Sequence, residues 1–299
     1  MSSYPRHSGV IVPLVTPITP GGQLDEPAAA RLVDHLASNG CGMLVLGTTG
    51  EVASLPLHLR KRYVEIAVKT AAKRTPVFAC PASNCVPVTI DSANEYLAAG
   101  VDAVVGILPN YFKLDPSEML AYFERLAEGI RGPLMIYNMP ATTGMSIPLD
   151  VIDAISRRPN VTGLKDSEGT EGRREAVAKR FGGRPDFSLF MGIAAHSIPA
   201  IKLGFDGLVP SSGNLYPERW HQLYQAARNR DWATAEKLQA NLDALNTVFQ
   251  KNRTLGQSLA ALKAGLGLRG LCGPEMVPPL QALAAADQEG VRAELRRLG

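Results

Sequence analysis

Cysteine is scarce: Cys41, Cys80, Cys85 and Cys272 are the four in 299 residues. None falls in a CxxC or zinc-like spacing, so neither a disulfide framework nor a structural zinc site is expected, and reduced thiols in a cytosolic protein fit better. Charge of one sign is also lacking. The formal net charge is +3, too balanced to point to nucleic acid or an acidic membrane. No apolar run approaches the ~20 residues that a membrane-spanning helix needs. Residues 1–9 (MSSYPRHSG) are polar and have no apolar signal-peptide core. The expectation is a soluble, cytoplasmic protein with neither nucleic-acid nor membrane partners. HxH, HExxH and carboxylate clusters are missing, so no metal and no cofactor is expected. His7, His35, His58, His196 and His221 are scattered and read as structural or surface residues.

What is present is material for a large core. Hydrophobic residues make up 45% and charged residues 20%, which excludes extended disorder. The length allows about two domains at ~150 residues each, although one α/β barrel can use most of such a chain.

Short apolar or β-branched runs recur at Val10–Pro17, Gly42–Gly47, Pro76–Pro81, Ala103–Pro109, Pro133–Asn138, Val161–Lys165, Phe187–Gly192 and Gly207–Ser211. Several are apolar without a break, as strands buried on both faces of a parallel sheet must be. Helical spacing fills the gaps. Asp25 can cap a helix whose Leu32, Val33 and Leu36 share a face, and Gly40 can end it. Asp115-Pro116-Ser117-Glu118 is a sharper start signal, followed by a stripe of Met119, Leu120, Phe123, Leu126 and Ile130.

Eight strands alternating with helices predict a (β/α)8 TIM barrel. A doubly wound open sheet has the same count. Two features favour the barrel: no GxGxxG or GxxxxGKS/T follows the first strand, and the unusual polar residues sit at the C-terminal ends of several different strands. From about Tyr216 the strand signal stops, and Trp232–Gln239, Leu255–Leu268 and Gln281–Leu298 read as helices. The division expected is a catalytic barrel over 1–229 and a C-terminal helical region over 230–299, packed on the barrel or on a partner subunit.

Four strand ends carry candidate chemistry. Gly47-Thr48-Thr49-Gly50-Glu51 offers two hydroxyls and backbone N–H groups on a glycine-permitted turn, a nest of carboxylate or phosphate size. The plainer alternative is a turn with helix-capping threonines. Tyr137-Asn138-Met139-Pro140 puts a phenol at the barrel rim, where it can move a proton, or a core tyrosine with a satisfied hydroxyl. Gly163-Leu164-Lys165-Asp166 places a lysine inside a buried strand pattern. Burial without a counter-charge favours the neutral amine, the form that attacks a carbonyl. The alternative is a strand-end lysine reaching solvent, paired with Asp166. Gly204–Asn214 has the glycines and small polar residues that suit close approach of a ligand, and a phosphate site is its competing reading.

Together these elements resemble the dihydrodipicolinate synthase / N-acetylneuraminate lyase family of Schiff-base pyruvate aldolases. The resemblance runs from Val12-Pro13-Leu14-Val15-Thr16-Pro17 through GTTGE at 47–51, YNxP at 137–140, GxKD at 163–166 and GxxGxVxSxxN at 204–214, into a tail containing Lys263. It implies a barrel with a helical tail, assembled as a homotetramer of two tight dimers. It implies an imine between Lys165 and pyruvate or another 2-keto acid. Tyr137 matches the proton-relaying tyrosine, and Thr48 the threonine that links it to a second one. Tyr111 matches that second tyrosine, which reaches the neighbouring site across the dimer. Thr48, Thr49 and Gly50 match the pyruvate carboxylate turn, and Val209 the backbone beside pyruvate.

The sequence departs from both named branches of this family. Thr142 stands where synthases acting on aspartate semialdehyde carry arginine. Ile193-Ala194-Ala195-His196 follows Gly192 where acidic residues are common, and Cys80-Pro81-Ala82-Ser83-Asn84 replaces a glycine-rich turn. Pro109–Lys113 and Ala141–Gly144 are more similar to branches acting on 2-keto-3-deoxy sugar acids. The leading expectation is a lyase or aldolase that makes or breaks the C–C (or C–O) bond beside a pyruvate-type imine. Its partners would be a 2-keto acid and an aldehyde, with Thr142 in the acceptor site. One alternative is 4-hydroxy-tetrahydrodipicolinate synthase, condensing pyruvate with aspartate semialdehyde in lysine biosynthesis. The other is a non-catalytic keto-acid-binding barrel.

Overall fold

The eight β-branched and apolar runs form eight parallel strands: β1 (Gly9–Pro13), β2 (Gly42–Val45), β3 (Val77–Ala79), β4 (Ala103–Ile107), β5 (Leu134–Asn138), β6 (Val161–Asp166), β7 (Ser188–Met191) and β8 (Gly207–Leu208). The computed structural model describes residues 4–299, so the first three residues of the polar segment 1–9 lie outside it. Each strand pairs with the next, and β8 closes on β1 through Gly9↔Gly207 and Val10↔Leu208. That closure rules out the open sheet and makes the fold a TIM barrel.

The helices are α1 (Glu26–Ser38), α2 (Leu57–Ala71), α3 (Val86–Ala99), α4 (Pro116–Gly129), α5 (Pro140–Thr143), α6 (Leu149–Ile155), α7 (Arg173–Phe181), α8 (Ser197–Lys202), α9 (Pro217–Arg228), α10 (Trp232–Gln250), α11 (Leu255–Leu268) and α12 (Ala285–Leu298). Among the described residues no helix is long and apolar enough to cross a membrane.

Local chemistry sets the helix ends. The Asp25 carboxylate accepts the Ala28 N–H at the start of α1. Asp115 accepts the Ser117 and Glu118 N–H groups while Glu118 accepts that of Asp115, a full capping box for α4. Of the stripe expected on α4, Met119, Phe123 and Leu126 are buried and Leu120 is half-buried. Truncating Leu126 to Ala would cost about 2–5 kcal/mol, the range for a core leucine.

Strand alternation divides two apolar regions. Ile11, Leu44, Phe78, Val105, Met135 and Phe190 point inward and fill the barrel. His7 closes that stack with its ring edge-on to Phe78, centroids 4.9 Å apart. Outward-facing residues such as Val12, Val45, Val104, Ile136 and Leu164 join the larger core under the helices. Gly163 is required by this packing, because a Cβ there would lie 2.6 Å from the Ser188 carbonyl oxygen.

The C-terminal helices pack on the barrel. Gln239 of α10 donates to the Ala194 carbonyl after β7, and Lys263 of α11 reaches the turn after β2. Helix α12 starts at Ala285 rather than at the expected Gln281. Residues 281–284 carry no helical hydrogen bonding, and no side chain caps the helix any earlier.

Candidate active site

Lys165 and Tyr137 are direct partners across the β5–β6 ladder. Both point into the barrel near the C-terminal ends of their strands. Lys165 is 5% exposed, and its Nζ lies 3.7 Å from the centre of the Tyr137 ring. The Tyr137 hydroxyl lies 3.4 Å from Thr48 Oγ1, where either group can donate. The structure thus brings three expected residues, from three different strand ends, into one chain of contacts.

Asp166 does not neutralise Lys165. Successive strand residues point to opposite faces, so Asp166 faces outward and pairs with Arg173 at 3.0 Å. Among the described residues no carboxylate pairs with Lys165. The alternative of a solvent-reaching lysine paired with Asp166 is therefore corrected by the pleat of the strand.

The same alternation explains why Asn138 and Asp166 accompany the tyrosine and the lysine. Asn138, fully buried, donates to Asp166 and, at 2.9 Å, to Glu168, and its Oδ1 accepts the Ile147 N–H. Asp166 also accepts the Glu168 N–H. These bonds lock the loops after β5 and β6 behind the two inward side chains. Burial pushes the Asp166 carboxyl upward, opposed by Arg173 and by its hydrogen bonds. At Glu168 burial acts in the same upward direction, but hydrogen bonds from Ser146, Asn138 and Thr170, with Arg173 nearby, outweigh it and hold the carboxyl below its ordinary value. Sequence reasoning did not single out this network, although the period-two alternation at 137–138 and 165–166 carries the signal.

The turn at 46–51 is shaped by backbone. Leu46 and Glu51 both adopt left-handed φ, at 60° and 57°. A Cβ on Gly50 would crowd the Leu14 carbonyl at 3.0 Å. Gly50 N–H donates to Gly47 and its carbonyl accepts from Thr16 Oγ1 at 2.6 Å. Gly50 therefore shapes the turn expected to take the carboxylate, with its own N–H engaged inside it. The Thr48 and Thr49 N–H groups make no hydrogen bond to protein among the described residues, leaving two adjacent donors for an anion.

A cavity of about 690 Å³ opens outward from Tyr137 and Thr48. Thr142 and Thr143 of α5 form one side and Leu255 and Leu259 of α11 another. Thr142 Oγ1 donates weakly to the Met139 carbonyl. Lys113 comes near from the loop after β4, donating to the Thr143 carbonyl at 2.9 Å over the side-chain-free face of Gly144. Arg60, also in the wall, donates to the Leu55 and Ala82 carbonyls, and burial lowers its pKa from the usual guanidinium value. Cys80 lies at the end of β3 among the inward residues, its thiol pushed up to about 11 by burial, with Lys165 acting against that rise. Val209 is buried beside them, its N–H bonded to the Met191 carbonyl. Tyr111 stands apart: it is 78% exposed and packs edge-on against Phe112. The protomer does not bring it to Tyr137.

The model of the dihydrodipicolinate synthetase family matches residues 6–298. A 4-hydroxy-tetrahydrodipicolinate synthase of Phenylobacterium zucineum is 31% identical over 296 residues, covering 99% of this chain and 98% of the relative. The dihydrodipicolinate synthase structure from Bacteroides thetaiotaomicron superposes with a TM-score of 0.92 at 31% identity, over 97% of this chain and 98% of that one. YagE of Escherichia coli, provisionally named a 2-dehydro-3-deoxy-D-gluconate aldolase, is 31% identical over 246 residues, covering 81% of this chain and 82% of the relative. Its structure in complex with pyruvate has a TM-score of 0.91 over 97% of this chain and 98% of that chain, at 28% identity.

Proposed function

Because this chain belongs to the dihydrodipicolinate synthetase family, we propose that it is a Schiff-base lyase acting on pyruvate or a related 2-keto acid. The observation that carries the proposal is the Lys165 amine on the face of Tyr137, 3.7 Å from the ring centre and without a carboxylate partner among the described residues.

The geometry supports a simple sequence. The free N–H groups of Thr48 and Thr49 take the keto acid carboxylate. The Lys165 amine nitrogen adds its lone pair to the keto carbon and passes a proton to the oxygen, giving a carbinolamine. Tyr137 delivers a proton to the departing hydroxyl, water leaves, and the C=N bond forms. The protonated imine draws electrons from the adjacent carbon. Tyr137, now the phenolate, takes a proton from that carbon to give an enamine, and returns it to the alkoxide formed when the enamine attacks an aldehyde; reversal of the same steps cleaves the C–C bond. Thr48, in contact with the phenol, exchanges the proton.

The acceptor that fits Thr142 is a neutral hydroxylated aldehyde, which makes a 2-keto-3-deoxy sugar acid the favoured substrate class. A second reading, condensation of pyruvate with aspartate semialdehyde, draws support from the full-length likeness to named synthases and from Lys113 beside the α5 loop. The reading also includes a catalytic barrel over 1–229, a helical region over 230–299 and a cytoplasmic location, the last consistent with four free thiols. It includes a homotetramer of tight dimers, supported by the exposed Tyr111–Phe112 pair, at 78% and 73%.

The test is borohydride reduction in the presence of pyruvate, followed by peptide mass analysis. The expected result is a reduced pyruvate adduct on Lys165 in the wild type and none in a folded Lys165→Ala variant. Labelling that survives the substitution refutes the assignment, and an unlabelled wild type refutes imine chemistry.

A further inference from the structure

We propose that Glu51 and Lys263 form a strap from the C-terminal helices to the anion-binding turn, and that Glu51 is a positioning residue for Thr48 and Thr49. The inference rests on the reading that this turn holds the carboxylate of a keto acid bound to Lys165.

Glu51 ends the turn in a left-handed conformation, and Leu46 begins it in another. Non-glycine residues persist there only where their surroundings over-determine them. What surrounds Glu51 comes from the far end of the chain. Its buried carboxylate lies 2.5 Å from Lys263 Nζ through one oxygen and accepts the Val277 N–H at 2.7 Å through the other. Lys263 Nζ in turn donates to the Glu275 carbonyl at 2.7 Å. The side chains are 0% and 1% exposed.

A buried ion pair adds little net stability over well-packed apolar residues, but it penalises every arrangement that separates the charges. Here it fixes one register: α11 and the 275–277 segment against the turn after β2. The consequence reaches the site because Glu51 N–H donates to the Thr48 carbonyl and Gly50 N–H to that of Gly47. A shift of Glu51 therefore moves the two free N–H donors. It also moves Thr48 Oγ1, whose 3.4 Å contact with Tyr137 has little reach to lose. Helix α11 lines the cavity as well, through Leu255 and Leu259, so the strap couples the acceptor wall to the keto acid turn.

The experiment measures borohydride trapping of pyruvate as a function of pyruvate concentration. It compares the wild type with Glu51→Gln, Lys263→Met and the double variant, with thermal melts alongside. Glu51→Gln keeps an acceptor for Val277, and the double variant strands no charge. Folded variants should still label Lys165 at saturating pyruvate. Their half-saturating concentration should rise about 10-fold or more, the scale of loosening one hydrogen bond to a charged group. The double variant should be no worse than the weaker single one, since both residues act through one contact. Lower melting temperature with wild-type half-saturation would make the pair merely structural and overturn the proposal, as would additive effects. If a single variant does not fold, the double variant decides by the same criterion. An unlabelled wild type would instead refute the imine reading and remove the strap's purpose with it.

Discussion

Lys165 and Tyr137 face one another across the β5–β6 ladder, and so do their successors Asp166 and Asn138. The first pair points into the barrel, with 3.7 Å between the amine and the ring centre. The second points outward and forms a hydrogen bond at 3.3 Å. One register thus builds both the Lys165–Tyr137 contact and the hydrogen-bonded pair behind it.

Removing only the phenol oxygen separates the two duties of Tyr137. Tyr137→Phe keeps the ring against Lys165 but takes away the proton carrier. Its kcat should fall by about 10²–10⁴-fold, the usual contribution of a positioned acid–base group. The KM for pyruvate should change far less, because the Thr48 and Thr49 donors stay in place. Steady-state kinetics with a fixed aldehyde check this, and unchanged kcat would remove Tyr137 from the proton path.

Acid should weaken the support network through Glu168. Its folded pKa lies below the ordinary value of 4.5, so its stabilising contribution is present above that pH and is lost as pH falls through the folded value. Asp166 has the opposite sign, since its raised pKa adds stability only at the acid end. Thermal melts between pH 6 and pH 3 should show a smaller acid-induced drop in Glu168→Gln than in the wild type. Equal drops would mean that Glu168 gains nothing from its hydrogen bonds.

Tyr111 should matter only in an assembly. Tyr111→Phe is expected to form the pyruvate adduct normally yet turn over about 10²-fold more slowly, the lower end of acid–base contributions. Mixing it with Lys165→Ala subunits under exchange conditions should restore part of the activity, because one hybrid site then holds both intact residues. Without recovery, Tyr111 does not act across a dimer.

The acceptor preference should follow charge. A desolvated carboxylate on aspartate semialdehyde needs a cation, and bidentate guanidinium suits it in geometry. Thr142 brings a hydroxyl, and Lys113 is engaged with the Thr143 carbonyl. Wild-type kcat/KM should therefore favour a neutral hydroxylated aldehyde. Thr142→Arg should raise kcat/KM for the semialdehyde by about 10- to 100-fold, the value of a charge-assisted contact. A side-by-side rate comparison decides; best turnover with the semialdehyde in the wild type would reverse the reading.

The strands, α1, α4 and α11, and the C-terminal run of helices follow from local pattern alone. Unbroken apolar runs and capping residues such as Asp25 and Asp115 act over a few residues, so they are legible without a fold. The motifs around Thr48, Tyr137 and Lys165 are legible for the same reason, each lying in one short stretch at a strand end. Their mutual distances are not local, and neither is the partner of any charge. Lys165 stands beside Asp166 in sequence, yet the pleat sends the acid to Arg173. Lys113 reaches Thr143 only because the loops after β4 and β5 are neighbours on the closed barrel. Glu51 finds Lys263 from the other end of the chain. Apolar runs and helical spacing pointed to alternating strands and helices, and short motifs marked the lysine, tyrosine and threonine at the strand ends. Barrel closure and helix packing decided which side chains are paired and what holds the turn at 46–51, because those depend on contacts between segments far apart in the chain.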